Sequence, residues 1–225
     1  MNINRPLLQL IIFLYFGMVS VLGPNGSAQA AHDHQSFGEI QPNVWILGAR
    51  VGFAVPTQSL SHDVVGIAGF HQGSAGIGPL INVQALYSLN RWFLLGLMVE
   101  WERHGVDVEE RRLSLDVGSQ QTVSVLPTVE LRPVTLGSFV PYVNMSFGVN
   151  VNSFSEAISA EISPSNTFAW RLGWGVDYLV NRHLAVNAEW AYKRNDGHAH
   201  VDNRFRINDW NLSSFGFLFG VKTFF

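Results

Sequence analysis

Ten charged residues fall inside runs where apolar side chains alternate with small or polar ones: Arg50, Glu100, Glu102, Glu130, Arg132, Arg171, Asp177, Glu189, Lys193 and Lys222. Five are cationic and five anionic. Each occupies the polar side of its run. If those sides face one enclosed space, lone charges are expensive there and each needs a partner. Two chemistries follow. A gated polar conduit would pass ions or small solutes between the charges. A closed salt-bridge network would instead brace a filled interior. A narrow interior favours the second.

Other chemistry-bearing residues lie mostly between the runs. His62, His71, His104, His198 and His200 fall in polar connections, and His32 and His34 lie near the start. The i, i+2 pairs His32/His34 and His198/His200 have the spacing for copper or zinc, since imidazole suits both. Solvated polar loops are the weightier reading, so no metal or cofactor is expected. Cysteine is absent, which removes disulfides, thiolate metal sites, a cysteine nucleophile and a lipidated cysteine. A formal net charge of −3 gives no reason to expect nucleic acid as a partner.

The elements that must position the charges are strands, because neighbouring strand side chains point to opposite faces. In 168–178, Phe168, Trp170, Leu172, Trp174, Val176 and Tyr178 form one face, and Ala169, Arg171, Gly173, Gly175 and Asp177 form the other. A helix would leave Arg171 and Asp177 no consistent side. After a turn at Asn181-Arg182-His183, Leu184, Val186, Ala188, Trp190 and Tyr192 oppose Asn187, Glu189 and Lys193. The same alternation runs through 45–55, 80–87, 93–102, 122–132, 142–152 and a last strand carrying Phe215, Phe217, Phe219, Val221 and Phe225. That makes about eight strands. Pro127 lacks a ladder donor, so a bulge is expected there. Short connections near 88–91, 133–138 and 180–183 alternate with long polar ones near 56–78, 103–121, 153–166 and 194–209. Trp45, Tyr87, Trp92, Trp101, Phe139, Tyr142, Tyr178, Trp190, Tyr192, Trp210 and Phe225 cluster towards strand ends, as interfacial girdles do.

Composition says which side meets what. Charged residues are 14% of the 225, against roughly 25% in soluble domains. Residues 1–30 read as a cleaved secretory signal: Arg5, an apolar run from Leu7 to Leu22, then Ala28-Gln29-Ala30. Residues 31–43 form a short segment ahead of a barrel over 44–225. An exported chain this apolar, with no later apolar run of helix-spanning length, is best satisfied by a closed ladder in lipid. The expected fold is all-β, a transmembrane antiparallel up-and-down β-barrel of about eight strands. The soluble alternative, an exported lipocalin-like barrel, would need polar residues at Trp170, Trp174, Phe217 and Phe219.

Leu172-Gly173-Trp174-Gly175-Val176-Asp177-Tyr178 followed by Leu184-Ala185-Val186-Asn187-Ala188-Glu189-Trp190 resembles the penultimate hairpin of OmpA-type small barrels. Phe217-Leu218-Phe219-Gly220-Val221-Lys222-Thr223-Phe224-Phe225 resembles their closing strand, and Phe225 resembles the signal read by the barrel assembly machinery. Trp45-Ile46-Leu47-Gly48-Ala49-Arg50-Val51-Gly52-Phe53 resembles the opening of the OmpW porin family. The resemblance implies the cell outer membrane of a Gram-negative envelope, with outer-membrane lipid and lipopolysaccharide as partners and a monomeric state. It implies architecture and not activity. An envelope-structural or surface-interaction role through the long loops is expected first. A narrow channel for small or hydrophobic solutes comes second, and a lipid-modifying enzyme last. Lipid A deacylases of this size carry a His-x-Ser-Asn pattern on a late strand. Here that strand reads Trp190-Ala191-Tyr192-Lys193-Arg194-Asn195-Asp196, and His71 with Ser74 lies in a Gly-rich loop.

Overall fold

The computed structural model describes residues 42–58, 72–110, 113–156, 162–201 and 205–225. Twelve strands occur among them: β1 (Trp45–Pro56), β2 (Gln72–Ala75), β3 (Gly78–Ser88), β4 (Phe93–Glu110), β5 (Leu113–Leu131), β6 (Phe139–Glu156), β7 (Ile162–Pro164), β8 (Thr167–Asn181), β9 (Leu184–Arg194), β10 (Asp196–Val201), β11 (Phe205–Asn211) and β12 (Ser214–Phe224). Eight of these close on themselves in the order β1-β3-β4-β5-β6-β8-β9-β12, and every neighbour is antiparallel. Closure leaves no barrel edge, so the ladder satisfies the backbone groups that lipid cannot.

The period-2 pattern sorts the faces as the alternation predicts. Val51, Phe168 and Phe219 stand outward and are exposed, while Arg50, Ala169 and Leu218 beside them are buried. Aromatic pairs ring both ends of the apolar belt. Trp45 meets Tyr87 and Phe139 meets Tyr178 at the short-turn end; Trp170, Tyr192 and Phe215 form a ladder at the other. Tight coiling brings strands very close at glycines. A Cβ on Gly52 would lie 1.7 Å from the Phe217 carbonyl oxygen. Only a residue without one permits that approach.

Three features differ from the sequence reading. No bulge occurs at Pro127. The β5–β6 ladder omits Leu126 and Pro127 and resumes in the same register, Val125↔Val149 then Thr128↔Ser146. Proline sits outward, and losing one donor does not require an extra residue. The register shift falls instead near the far end of β4–β5, where Val106 pairs Gly118 and Asp107 pairs Asp116. Gly118 there has φ 147°, a backbone state that suits glycine. Secondly, the expected long loop at 103–121 is mostly an extension of the β4–β5 hairpin, and β2 pairs along its upper part. Its apolar residues, Val106, Val108, Leu113, Leu115 and Val117, do alternate, but charged residues between them make the segment read as a polar loop. The 194–209 connection likewise contains β10 and β11, which form a three-stranded sheet with β7. Thirdly, two of the expected girdle aromatics are buried: Tyr142 is 2% exposed and points into the lumen, and Trp210, on β11, is 6% exposed and bonded to Gln120.

At the short-turn end the lumen is filled by an apolar cluster of Ile46, Leu86, Leu94, Val140, Leu179, Ala185 and Phe224, none more than 8% exposed. Residues 1–41, including the expected signal and His32/His34, lie outside the described residues.

Candidate functional site: the charged lumen

Inward positions on every barrel strand place polar side chains in a stack above the apolar cluster. In the lowest layer, Arg132 Nη2 lies 2.6 Å from Glu130 Oε1 and 2.8 Å from Asp177 Oδ2. Lys222 Nζ reaches the same two acids at 3.2 and 3.1 Å. It also sits 3.9 Å from the Tyr142 ring centroid, a cation–π contact. Asn187 donates to Asp177 at 2.6 Å.

Glu189 is the hub of the middle layer. It accepts from Arg50, from Arg171 Nη2 at 2.5 Å, and from Tyr142 and Asn144 at 2.7 Å each. The rest of the Arg50 fork is held by Asn82 and Gln84, at 2.7 and 3.0 Å from Nη2. Arg171 continues upward, its Nε donating to Glu100 at 3.1 Å. Lys193 then bridges Glu100 and Glu102 at 3.0 Å each. Above it, His104 Nδ1 lies 2.8 Å from the Gly76 carbonyl oxygen.

A neutral layer covers the ions. Asn195 bonds Asn152 and Thr122, and Thr167 donates to Asn195 at 2.6 Å. Trp210, on the small sheet, donates its indole N–H to Gln120 at 2.6 Å and is 6% exposed.

The lumen thus brings together all ten charges singled out in the sequence, each no more than 2% exposed. Five cations face five anions, and each makes an ion pair. Burying ions is costly, and pairing of this density is what makes it tolerable. Sequence reasoning missed Tyr142 as a network member, though its even position in β6 carried the signal. It also passed over Asn82, Gln84, Asn144 and Asn187, because neutral amides on an inner face look like filler until their partners are known.

The remaining candidates do not converge. The His198 and His200 rings lie 5.3 Å apart. Among the described residues no group of three or more His, Asp or Glu is placed to hold a metal. His62 and His71 lie outside the described residues, and Ser74 donates to the Asp107 carbonyl. Phe225 ends the chain half-exposed.

No family model matches the chain, and none of the curated proteins does. Solved structures do. The outer membrane protein OprG of Pseudomonas aeruginosa aligns with TM-score 0.68 at 15% identity, over 82% of this chain and 97% of that one. The solid-state NMR structure of outer membrane protein AlkL gives 0.54 at 13% identity, over 91% and 97%. Neisserial surface protein A gives 0.51 at 15% identity, over 80% and 96%. Identities this low carry the fold alone. By its fold and its apolar outer belt, the chain is a small eight-stranded outer-membrane β-barrel.

Proposed function

We propose that this barrel is an integral envelope protein with a closed lumen, working through its outer surface and the β structure at its long-connection end. The observation that carries this reading is the lumen itself. Its charges are paired in layers, with an apolar cluster below and a neutral amide layer above. The apolar cluster interrupts the polar lining at the short-turn end. The short turns are read as periplasmic and the long-connection end as extracellular, following the usual asymmetry of such barrels. A monomeric state in lipopolysaccharide-rich membrane, with Phe225 read by the assembly machinery, completes the proposal. No lipid-modifying enzyme is proposed, because the late strand lacks the His-x-Ser-Asn pattern.

The test is planar-bilayer conductance of the refolded mature chain, with Arg50→Ala and Arg171→Ala alongside. Silence from a folded, heat-modifiable wild-type barrel is expected. Discrete steps altered by either substitution would overturn the closed-lumen reading and make the arginines part of a conduit.

A second reading has one specific observation behind it. The β5–β6 ladder omits its rungs at Leu126 and Pro127, and Leu126 packs inside with Met98 and Ala169. A weak point in the wall thus backs onto an apolar patch, which suits lateral passage of an apolar solute. Uptake of a long-chain alkane by cells carrying Pro127→Val, compared with wild type, tests it. Undiminished uptake counts against the route.

A further inference from the structure

The small sheet holds a pair of side chains that neither the lumen nor the lipid-facing belt accounts for. His198 and His200 stand two apart on β10. Their polar surroundings read as a loop in sequence, but the segment is the central strand of the β11-β10-β7 sheet. Ala199 between them is fully buried, so the two imidazoles share the opposite, half-buried face. The backbone beneath them is pinned. The Ser165 N–H donates to the His198 carbonyl at 2.8 Å, and the His198 N–H donates to Ser165 Oγ at 3.1 Å. His200 is held in register on both sides, opposite Ser163 on β7 and Arg206 on β11.

Their separation is the informative quantity. Residues i and i+2 of a regular strand lie about 6.6 Å apart, with side chains that stand side by side. These rings are closer, 5.3 Å between centroids, and turned 80° to each other. A local irregularity accounts for the lean. Between Gly197 and Ala199 the ladder shifts register, so that His198 alone faces Asn208 and Asp209 of β11. A bulge of this kind sharpens the twist and re-aims a side chain. Two imidazoles that share one zinc, each with a Zn–N distance of about 2.0–2.1 Å at a tetrahedral angle, have centroids about 5.2 Å apart. A shared ion therefore needs ring rotation only, and no shift of the backbone.

We propose that His198 and His200 form a two-histidine site for a late first-row divalent cation, with zinc as its type. Neutral imidazole suits zinc and copper, whereas magnesium and calcium demand oxygen donors. Two protein ligands leave the remaining tetrahedral positions to water or to a ligand from outside. With two ligands, and the cationic Arg206 paired to His200, the site is weak and reversible rather than structural. It lies wholly on β10 and does not depend on the lumen being closed.

The experiment uses the full mature chain folded in zwitterionic micelles and diethyl pyrocarbonate, which acylates accessible imidazole nitrogens. Modified histidines are located by mass spectrometry across a zinc titration. Zinc is expected to protect His198 and His200 together, with one midpoint. His183, exposed at the short-turn end, should stay reactive, and magnesium should protect none of the three. His198→Gln should raise the zinc concentration that half-protects His200 by at least about tenfold, since even an outer-shell partner of a metal is worth that much. His200→Gln should do the same to His198. Heat-modifiability on gels confirms that each variant is folded. An unchanged His200 midpoint in His198→Gln would mean binding to a single histidine, and overturns the pair. So does a lack of protection at millimolar zinc, which would leave the two rings in plain edge-to-face packing. Equal protection of His183 would mean non-specific binding and overturns it too.

Discussion

Replacing Glu189 by alanine tests the idea that the lumen is held by its ions. Glu189 accepts from two guanidinium groups and two neutral donors, and its side chain is fully buried. Removing one partner of a buried pair costs about 3–5 kcal/mol, because the surviving charge is stranded. Here two arginines lose their shared acid. Arg50 retains Asn82 and Gln84, and Arg171 retains Glu100 and Asn144. These residual partners argue against doubling the cost, so we take about 5 kcal/mol as the expected loss. With a urea slope of about 2 kcal/mol per molar, the unfolding midpoint falls by about 2.5 M. Glu189→Gln keeps an acceptor and loses the charge, and should fall between. The assay is reversible urea unfolding in lipid vesicles, followed by tryptophan fluorescence. Arg194→Ala, which breaks an exposed pair with Asp196, serves as the reference and should move the midpoint by less than about 0.5 M. A Glu189→Ala shift no larger than that reference would refute the claim that the network stabilises the barrel.

Other outcomes follow from the same geometry. Phe219→Arg puts a charge on the lipid face and should cost about 2–4 kcal/mol near mid-membrane, read as lost folding yield into vesicles. Gly52→Ala should reduce that yield too, since the new Cβ would fall 1.7 Å from the Phe217 carbonyl oxygen; Gly105→Ala, with open space around it, should not. Because the chain has no cysteine, a single Asn195→Cys reports on the upper lumen. A membrane-impermeant thiol reagent applied to intact cells should leave it unlabelled until Trp210→Ala removes the bond to Gln120. Rapid labelling with Trp210 present would mean that the neutral layer is open to the exterior.

Much of this was legible because strand geometry writes a period of two into the sequence. Lipid demands apolar side chains on one face, and a narrow lumen demands small or paired polar ones on the other. Phe168 to Tyr178 obeys both, and all ten inner charges could be placed from parity alone. Parity also placed Tyr142 inward, but its aromatic character and strand-end position pointed to the girdle. The lumen contacts decided the matter.

What parity cannot carry is position around and along the barrel. Which acid faces Arg50 depends on strand tilt and stagger, and its partner Glu189 lies 139 residues away. The apolar cluster gathers side chains from seven strands of the barrel, a meeting that exists only once the sheet has closed. The β4–β5 extension was hidden because its density of charged and polar residues, with Glu109 to Arg112 at its tip, reads as a solvated connection. Pro127 shows the converse: its chemistry predicts a disturbed ladder, but the neighbouring rungs are strong enough to hold the register. The sequence by itself determined the strands and which way each side chain faces, because those depend on neighbours in the chain. The tertiary structure alone decided who meets whom, because that depends on closing the sheet.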